Sequence, residues 1–231
     1  MRDALSDLKR FYDLLDQLEQ RVGGRRRLFE CTGRLDWPHR GVYFFFEEGE
    51  QKTGSGEGPR VVRVGTHALT SGSKTKLWNR LSQHRGSART GGGNHRGSIF
   101  RLLVGEALGN RDPAPGLESW GKGSSAGAEI RAHERAHERR VSTYLGAMPF
   151  LCLEVDDAPG AESIRGVIER NAIALLSGLT RSPVDPPSPG WLGHFSDREK
   201  VRHSGLWNQN HVDEPYSASF LDELEYRLLA V

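Results

Sequence analysis

Cysteine is scarce: the chain of 231 residues has two, Cys31 and Cys152. Two thiols build neither a multi-disulfide framework nor a Cys-rich zinc module, so the expected setting is a reducing cytoplasm. Long apolar runs are missing as well. None approaches the ~18–20 residues that a bilayer-spanning helix needs, and mean hydropathy is −0.58. The charged opening MRDALSDLKR lacks the apolar centre of an export signal. No membrane partner is expected. Hydrophobic residues make 36% and charged residues 27% of the chain, an ordinary globular balance. The length favours one domain spanning 1–231.

A third absence is local. From Gly58 to Gly105 there is no Asp or Glu, while the same stretch carries Arg60, Arg63, Lys74, Lys76, Arg80, Arg85, Arg89, Arg96 and Arg101. The net charge of +2 hides this segment. A run that cannot neutralise itself points either to a polyanionic partner or to a basic face paired with acids elsewhere in the fold. Glycine is the one excess: 28 of 231 residues, so many loops are expected.

Periodicity supplies the elements. Leu8, Phe11, Leu15, Leu18 and Val22 predict an amphipathic N-terminal helix ended by Gly23-Gly24. An irregular stretch from Arg25 to Arg40 follows. Gly41 to Phe46 reads as a strand apolar on both faces, and Arg60 to Gly65 as a second, the pair forming a hairpin with a long polar loop. The loop sequence GSGEG lacks the Lys-Ser/Thr of a phosphate loop and opens no helix, so it is set aside. A helix is predicted over 74–85, capped by Ser73 or Thr75 and ended by Gly86. A loop over 87–97, an apolar element over 98–108, a Gly/Pro/Ser-rich stretch over 109–127 and a helix over 128–145 come next. Then follow a buried strand over 149–155, a helix from Pro159 to about Ser177, a Pro-rich loop over 181–193 and two closing helices near 196–203 and 217–229. Three strands mixed with helices in this order make an α+β fold, a small antiparallel three-stranded sheet flanked by helices.

Spacing then gathers chemistry. Lys76, Arg80 and His84 are four apart and share one face of the 74–85 helix, where a phosphate lying along them would relieve their repulsion. Tyr43 on the first strand and Arg63 on the second fall on one side of the hairpin. Glu169 borders the apolar stripe of its helix beside Gly166. It is read either as a single metal ligand or as a surface carboxylate paired with Arg165, four residues earlier. His133-Glu134-Arg135-Ala136-His137 matches the zinc-peptidase pattern HExxH, but it arises from a doubled AHER tetrapeptide and has no convincing third ligand. A solvated, self-paired helix is the stronger reading there.

In order, Gly41-Val42-Tyr43, Arg63-Val64-Gly65, LWNRLSQH (Arg80 and His84), GVIERN (Glu169) and GLWNQN (Asn208) resemble the GIY-YIG nuclease superfamily, and its restriction-endonuclease-like branch in particular. Arg63 stands where the family has its second tyrosine, and Thr66 and His67 follow the glycine where a lysine is usual. The resemblance implies a DNA endonuclease that hydrolyses a phosphodiester with one Mg²⁺ or Mn²⁺ ion. Glu169 would hold the metal and Arg80 the scissile phosphate. Tyr43 would activate or orient water, favoured as a phenolate by Arg63. His84 would bond Tyr43 or the phosphate, and Asn208 would order the site. Lys74, Lys76, Arg85, Arg89, Arg96 and Arg101 would contact the nucleic acid, most readily duplex DNA. Around that core the resemblance leaves an N-terminal helical extension (1–36), an insertion (86–147) and a C-terminal helix (209–231). Cutting both strands with one site per chain would favour a homodimer. The competing expectation is a nucleic-acid-binding module without catalysis.

Overall fold

The structure is a computed structural model, and it describes residues 3–229. Its elements are α1 (Ala4–Val22), β1 (Arg26–Arg27), β2 (Gly41–Gln51), β3 (Pro59–Gly65), α2 (Leu77–Arg85), α3 (Ile99–Arg111), α4 (Ala128–His133), α5 (Arg135–Ala147), β4 (Pro149–Glu154), α6 (Ile164–Leu176), α7 (Glu199–Ser204) and α8 (Phe220–Leu229). The α+β reading holds. The strand count is corrected: the sheet is open, antiparallel and four-stranded, in the order β1-β4-β2-β3. The added strand pairs Arg26 with Phe150 and Arg27 with Pro149. Two residues are too short to show a period of two, so the sequence pattern carried no sign of it. No helix among the described residues is long and apolar enough to cross a membrane.

β2 lies between β4 and β3, which explains why its aromatic run has no polar face. Phe44 and Phe46 join Val61, Val64, Leu151 and Leu153 under α1, α6 and α8. Tyr43 and Phe45 face the other way, with Phe150, against Leu77, Leu81, Phe100, Leu103 and Val141 from α2, α3 and α5. Burying both faces of a strand removes each of its apolar side chains from water, about 1.5–3 kcal/mol apiece. The sheet is thus the middle of three layers.

Several helix ends move inward from their expected positions. Residues 74–76 stay outside the helix, with Lys76 extended, and α2 starts at Leu77, where Asn79 Oδ1 accepts the Lys76 N–H at 2.9 Å. α6 starts at Ile164 because Ser163 caps it, its Oγ accepting the Gly166 N–H at 3.2 Å, and Asp157 accepts the Ile164 N–H. The expected 128–145 helix is two helices that meet at Glu134. The GSGEG loop does form an anion cradle, but from within: Asp185 Oδ1 accepts the N–H groups of Thr53, Gly54 and Ser55 at 2.8, 2.8 and 3.0 Å. A carboxylate of the chain itself occupies the place a phosphate would take.

Candidate active site

β3 ends on a close approach. Gly65 pairs with Tyr43 across the ladder, and a Cβ on Gly65 would sit 2.4 Å from the tyrosine Oη and Cζ. Only glycine leaves room for the ring. Gly41 meets a similar limit from backbone, where a Cβ would lie 2.3 Å from the Leu153 carbonyl oxygen. These two glycines set where the sheet stops and where the chain turns into the loop Thr66–Leu69.

That loop is fastened to the sheet and to α6. The Thr66 N–H donates to Glu169 Oε1 at 3.1 Å, and the Thr66 hydroxyl donates to the Gly41 carbonyl at 2.8 Å. Arg165, one turn before Glu169, donates to the Ala68 carbonyl at 3.2 Å and pairs with Asp157. Arg165 is therefore turned away from Glu169, which disposes of the surface-pair alternative. Ala68 adopts a left-handed conformation (φ 57°), uncommon for a residue with a Cβ.

The far side of the cleft is built by the Trp-Asn segment. It lines the free edge of β3 as a short surrogate strand. The Trp207 N–H donates to the Val62 carbonyl at 2.7 Å, while the Asn208 side chain accepts from Val64 N–H at 3.2 Å and donates to Val64 C=O at 2.9 Å. The indole N–H groups of Trp191 and Trp207 converge on Glu47 Oε2 at 3.2 and 3.0 Å. Burial pushes the Glu47 carboxyl above its usual range. Arg63 donates from Nη1 to the Trp207 carbonyl and lies 4.7 Å from the Phe100 ring centroid.

Arg63, Arg80, Glu169 and Asn208 line one cleft, with His67 and His211 beside them. Arg80 reaches it from α2, half-exposed and within 3.1 Å of Gln83 Oε1. Tyr43 lies one layer behind: it is wholly buried, and its Oη sits 2.9 Å from His84 Nε2. His84 Nδ1 in turn lies 2.7 Å from Ser98 Oγ at the start of α3. The expected column of Lys76, Arg80 and His84 therefore runs from solvent to core rather than along one surface. Lys76 is exposed, Arg80 faces the cleft, and His84 is sealed.

Electrostatics follow from this layering. Burial, and then the cations Arg80, Arg63 and Arg101, hold the His84 imidazole well below its usual value, so it is neutral. Burial also pushes the Arg63 guanidinium below its ordinary range and the Glu169 carboxyl above its own, with Arg63 and the Thr66 N–H opposing the latter shift. Glu169 forms no ion pair among the described residues, and Oε2 accepts no hydrogen bond from them. Glu169, with one oxygen unbonded, is the carboxylate lining this cleft that could hold a divalent cation, and Arg63 and Arg80 line the same cleft.

The 86–147 segment corrects two of the expected nucleic-acid contacts. Arg101 is wholly buried, donating to the Glu138 carboxylate and carbonyl, to the His84 carbonyl and to Ser142. Arg96 pairs with Glu134, both side chains nearly sealed. Their charges are spent inside the fold, where unpaired ions are costly. Lys74, Lys76 and Arg89 are exposed and Arg85 half-exposed, which leaves those four near the cleft rim or the loop beyond it. The HExxH residues are also occupied: Glu134 with Arg96, and His137 donating from Nε2 to the Gly105 carbonyl at 2.8 Å, while His133 is exposed.

His67 and His211 are cleft residues that the spacing argument missed. Burial, then Arg165, lowers the His67 imidazole to about 4. An unfolded histidine titrates near ~6.5, so between those values the unfolded chain binds a proton that the folded chain refuses. Stability linked to His67 is complete above about 6.5 and is lost as pH falls toward 4. Urea unfolding of His67→Ala should therefore lose less stability on acidification than the unmodified chain, by up to about 1.4 kcal/mol per pH unit in that window. Parallel curves for the two chains would contradict the assignment. The comparison cancels Glu47 and Glu169, whose raised values act in the opposite direction.

A family model described as the GIY-YIG domain matches residues 2–230. Searches of curated proteins and of solved structures return no match. The match takes in every described element, from α1 through the cleft to α8, and with it the chain belongs to the GIY-YIG family.

Proposed function

We propose that the chain is a metal-dependent DNA endonuclease. Family membership points to a nuclease acting on DNA. The observation that carries the finer reading is the convergence of Arg63, Arg80, Glu169 and Asn208, from four separate parts of the chain, on one cleft. Two cations and one carboxylate facing a common space suit a phosphodiester and its counter-ion better than an uncharged substrate.

Glu169 would hold Mg²⁺ or Mn²⁺, whose charge polarises the phosphoryl group and steadies the leaving oxygen. Arg80, half-exposed on α2, grips the phosphate and meets the charge that develops on it. Arg63 supplies a second, fixed positive charge between the cleft and Tyr43. Tyr43 and His84 form a buried pair, in which a neutral imidazole fixes the phenol by one hydrogen bond and Ser98 fixes the imidazole. The pair positions the phenol oxygen behind Arg63. Asn208 seals the edge of β3 and so keeps Arg63 and the Trp207 carbonyl in register. Lys74, Lys76, Arg85 and Arg89 supply the sequence-independent attraction to duplex backbone.

Supercoiled plasmid incubated with the chain and Mg²⁺ or Mn²⁺ is expected to be nicked or linearised. EDTA should stop the reaction, and Glu169→Ala should abolish it while leaving salt-sensitive binding. Binding with no cutting by the unmodified chain would instead establish a catalytically silent binding module. Cutting that survives both EDTA and Glu169→Ala would overturn the metal site.

A further inference from the structure

Tyr43 is not placed to meet a water in the cleft. It is wholly buried, and its Oη is taken up by His84 Nε2. Few other proton acceptors line the cleft. Glu169 is the carboxylate assigned to the metal, and both ring nitrogens of His67 are sealed from solvent. The two arginines only donate, and the Asn208 amide is spent on Val64. Among the described residues, His211 is the remaining titratable side chain of the lining.

Its ring is oriented by Glu214. His211 Nδ1 lies 2.7 Å from Glu214 Oε1. A carboxylate only accepts, so Nδ1 carries the hydrogen and Nε2 of the neutral ring carries a lone pair. Nε2 has no hydrogen-bond partner among the described residues. Unlike the His67 nitrogens it is open to solvent, on a side chain that is 25% exposed. An imidazole held by a carboxylate at one nitrogen and free at the other has the layout of a general base.

The backbone fixes where this ring stands. His211 adopts a left-handed conformation (φ 64°), uncommon for a residue with a Cβ. On one side, Asn208 is bonded to β3. On the other, the wholly buried Val212 accepts the Ser177 hydroxyl on its carbonyl at 2.6 Å. The charge that the ring gains with a proton reaches Glu169, although the ion-pair partner of His211 is Glu214. A carboxylate-backed imidazole also suits a metal ligand. Against that, Mg²⁺ takes oxygen ligands. No group of three or more His, Cys, Asp or Glu side chains that could hold a metal lies among the described residues.

We propose that His211 is the general base of the cleft, its Nε2 taking a proton from the water that attacks the phosphodiester, with Glu214 as the positioning residue behind it. The inference rests on the nuclease reading above and deepens it. The water oxygen bonds to phosphorus as Nε2 takes one of its hydrogens as a proton. The bond from phosphorus to the leaving oxygen breaks with its electron pair on that oxygen, which takes a proton from solvent. The imidazolium then returns its proton to solvent.

His211→Asn tests this with the backbone kept, because asparagine tolerates the left-handed region and its amide is no base. Single-turnover cleavage of a labelled duplex in Mg²⁺ should fall by about 10²–10⁴. Duplex affinity, read by anisotropy in EDTA, and melting temperature should stay close to those of the unmodified chain. His211→Gly leaves a gap at the same backbone position. It should be as slow, and added imidazole should restore part of its rate, which a merely structural role would not allow. Glu214→Ala should be slowed less than His211→Asn, and full speed in Glu214→Ala would overturn the positioning role.

Cleavage by His211→Asn within a few-fold of the unmodified rate would overturn the inference. The nuclease reading, tested by EDTA and Glu169→Ala, would still stand. A loss of duplex affinity that matches the loss of rate would overturn it in favour of a phosphate contact. A loss that saturating Mg²⁺ removes would do so in favour of a metal ligand. A loss that vanishes when sulfur replaces the leaving oxygen would move the proton to the leaving group, since a thiolate departs without one. No restoration of His211→Gly by imidazole would also overturn it. Failure of the unmodified chain to cut in Mg²⁺ would remove the nuclease reading and this inference with it.

Discussion

Gly65→Ala is expected to lower cleavage by at least about hundredfold while leaving duplex binding within a few-fold of the unmodified chain. The added Cβ would enter a space 2.4 Å from the Tyr43 Oη and Cζ. A tyrosine ring can move aside in principle, but this one is boxed in. It packs edge-on against Phe45 and His84, with centroids 5.6 and 5.5 Å away, and Cys152 opposes it on β4. The displacement falls on the phenol end, so the 2.9 Å bond to His84 Nε2 is lost first. Misplacing a positioned group by about 1 Å can cost 10²-fold in rate, while overpacking of this kind destabilises by about 1–3 kcal/mol. Arg80, Lys76 and the other rim cations are untouched, so binding should persist. Single-turnover cleavage beside anisotropy in EDTA separates the two quantities. Cleavage within a few-fold of the unmodified rate would show that Tyr43 has no part in the reaction.

Gly41→Ala provides the contrast. Its Cβ would meet the Leu153 carbonyl at 2.3 Å, and backbone held in the β2–β4 ladder has nowhere to go. The loss there should fall on folding itself, seen as a lower melting temperature, before any effect on chemistry. One glycine of the pair guards a side chain and the other guards strand spacing. The sequence motif treats them alike, and only the ladder register distinguishes them.

What could be read from residues alone follows the range of the interactions involved. The two-faced apolar run of β2 and the stripe of α1 are local patterns, and both lie where periodicity put them. The acid-free stretch misled in part because neutralisation is not local. Arg96 and Arg101 are satisfied by Glu134 at the α4–α5 junction and by Glu138 on α5, some forty residues downstream. Nothing in a composition window reports that pairing. His84 was placed on the correct helical face, but its depth depends on Phe45 and Phe100 closing over it. For His67 the residues gave only a departure from the family's habit after Gly65; its burial without a hydrogen-bond partner has no sequence pattern. A departure of this kind, beside a motif, marks a place to inspect.

The same logic governs the departure at Arg63. Arg63→Ala is expected to lower cleavage by about 10²–10³, the usual effect of removing one pre-organised electrostatic group, and to weaken duplex binding by less than about tenfold. Arg63 is 5% exposed, so it adds little to the long-range attraction that exposed rim cations provide. Its worth lies in fixity. Nη1 is tied to the Trp207 carbonyl, the guanidinium rests over Phe100, and the Glu47–Trp207 bond holds that carbonyl in turn. A charge held this firmly needs no reorganisation when negative charge develops in the cleft or on the Tyr43 oxygen behind it. Arg63→Lys keeps the charge but not the planar fork, so it should fall between the two, nearer to alanine in rate. Melting temperatures must accompany both variants, because truncation also removes a partner of the Trp207 carbonyl. Equal losses of cleavage and binding in Arg63→Ala would make the residue an ordinary phosphate anchor, and the buried position of its charge would then have no catalytic meaning.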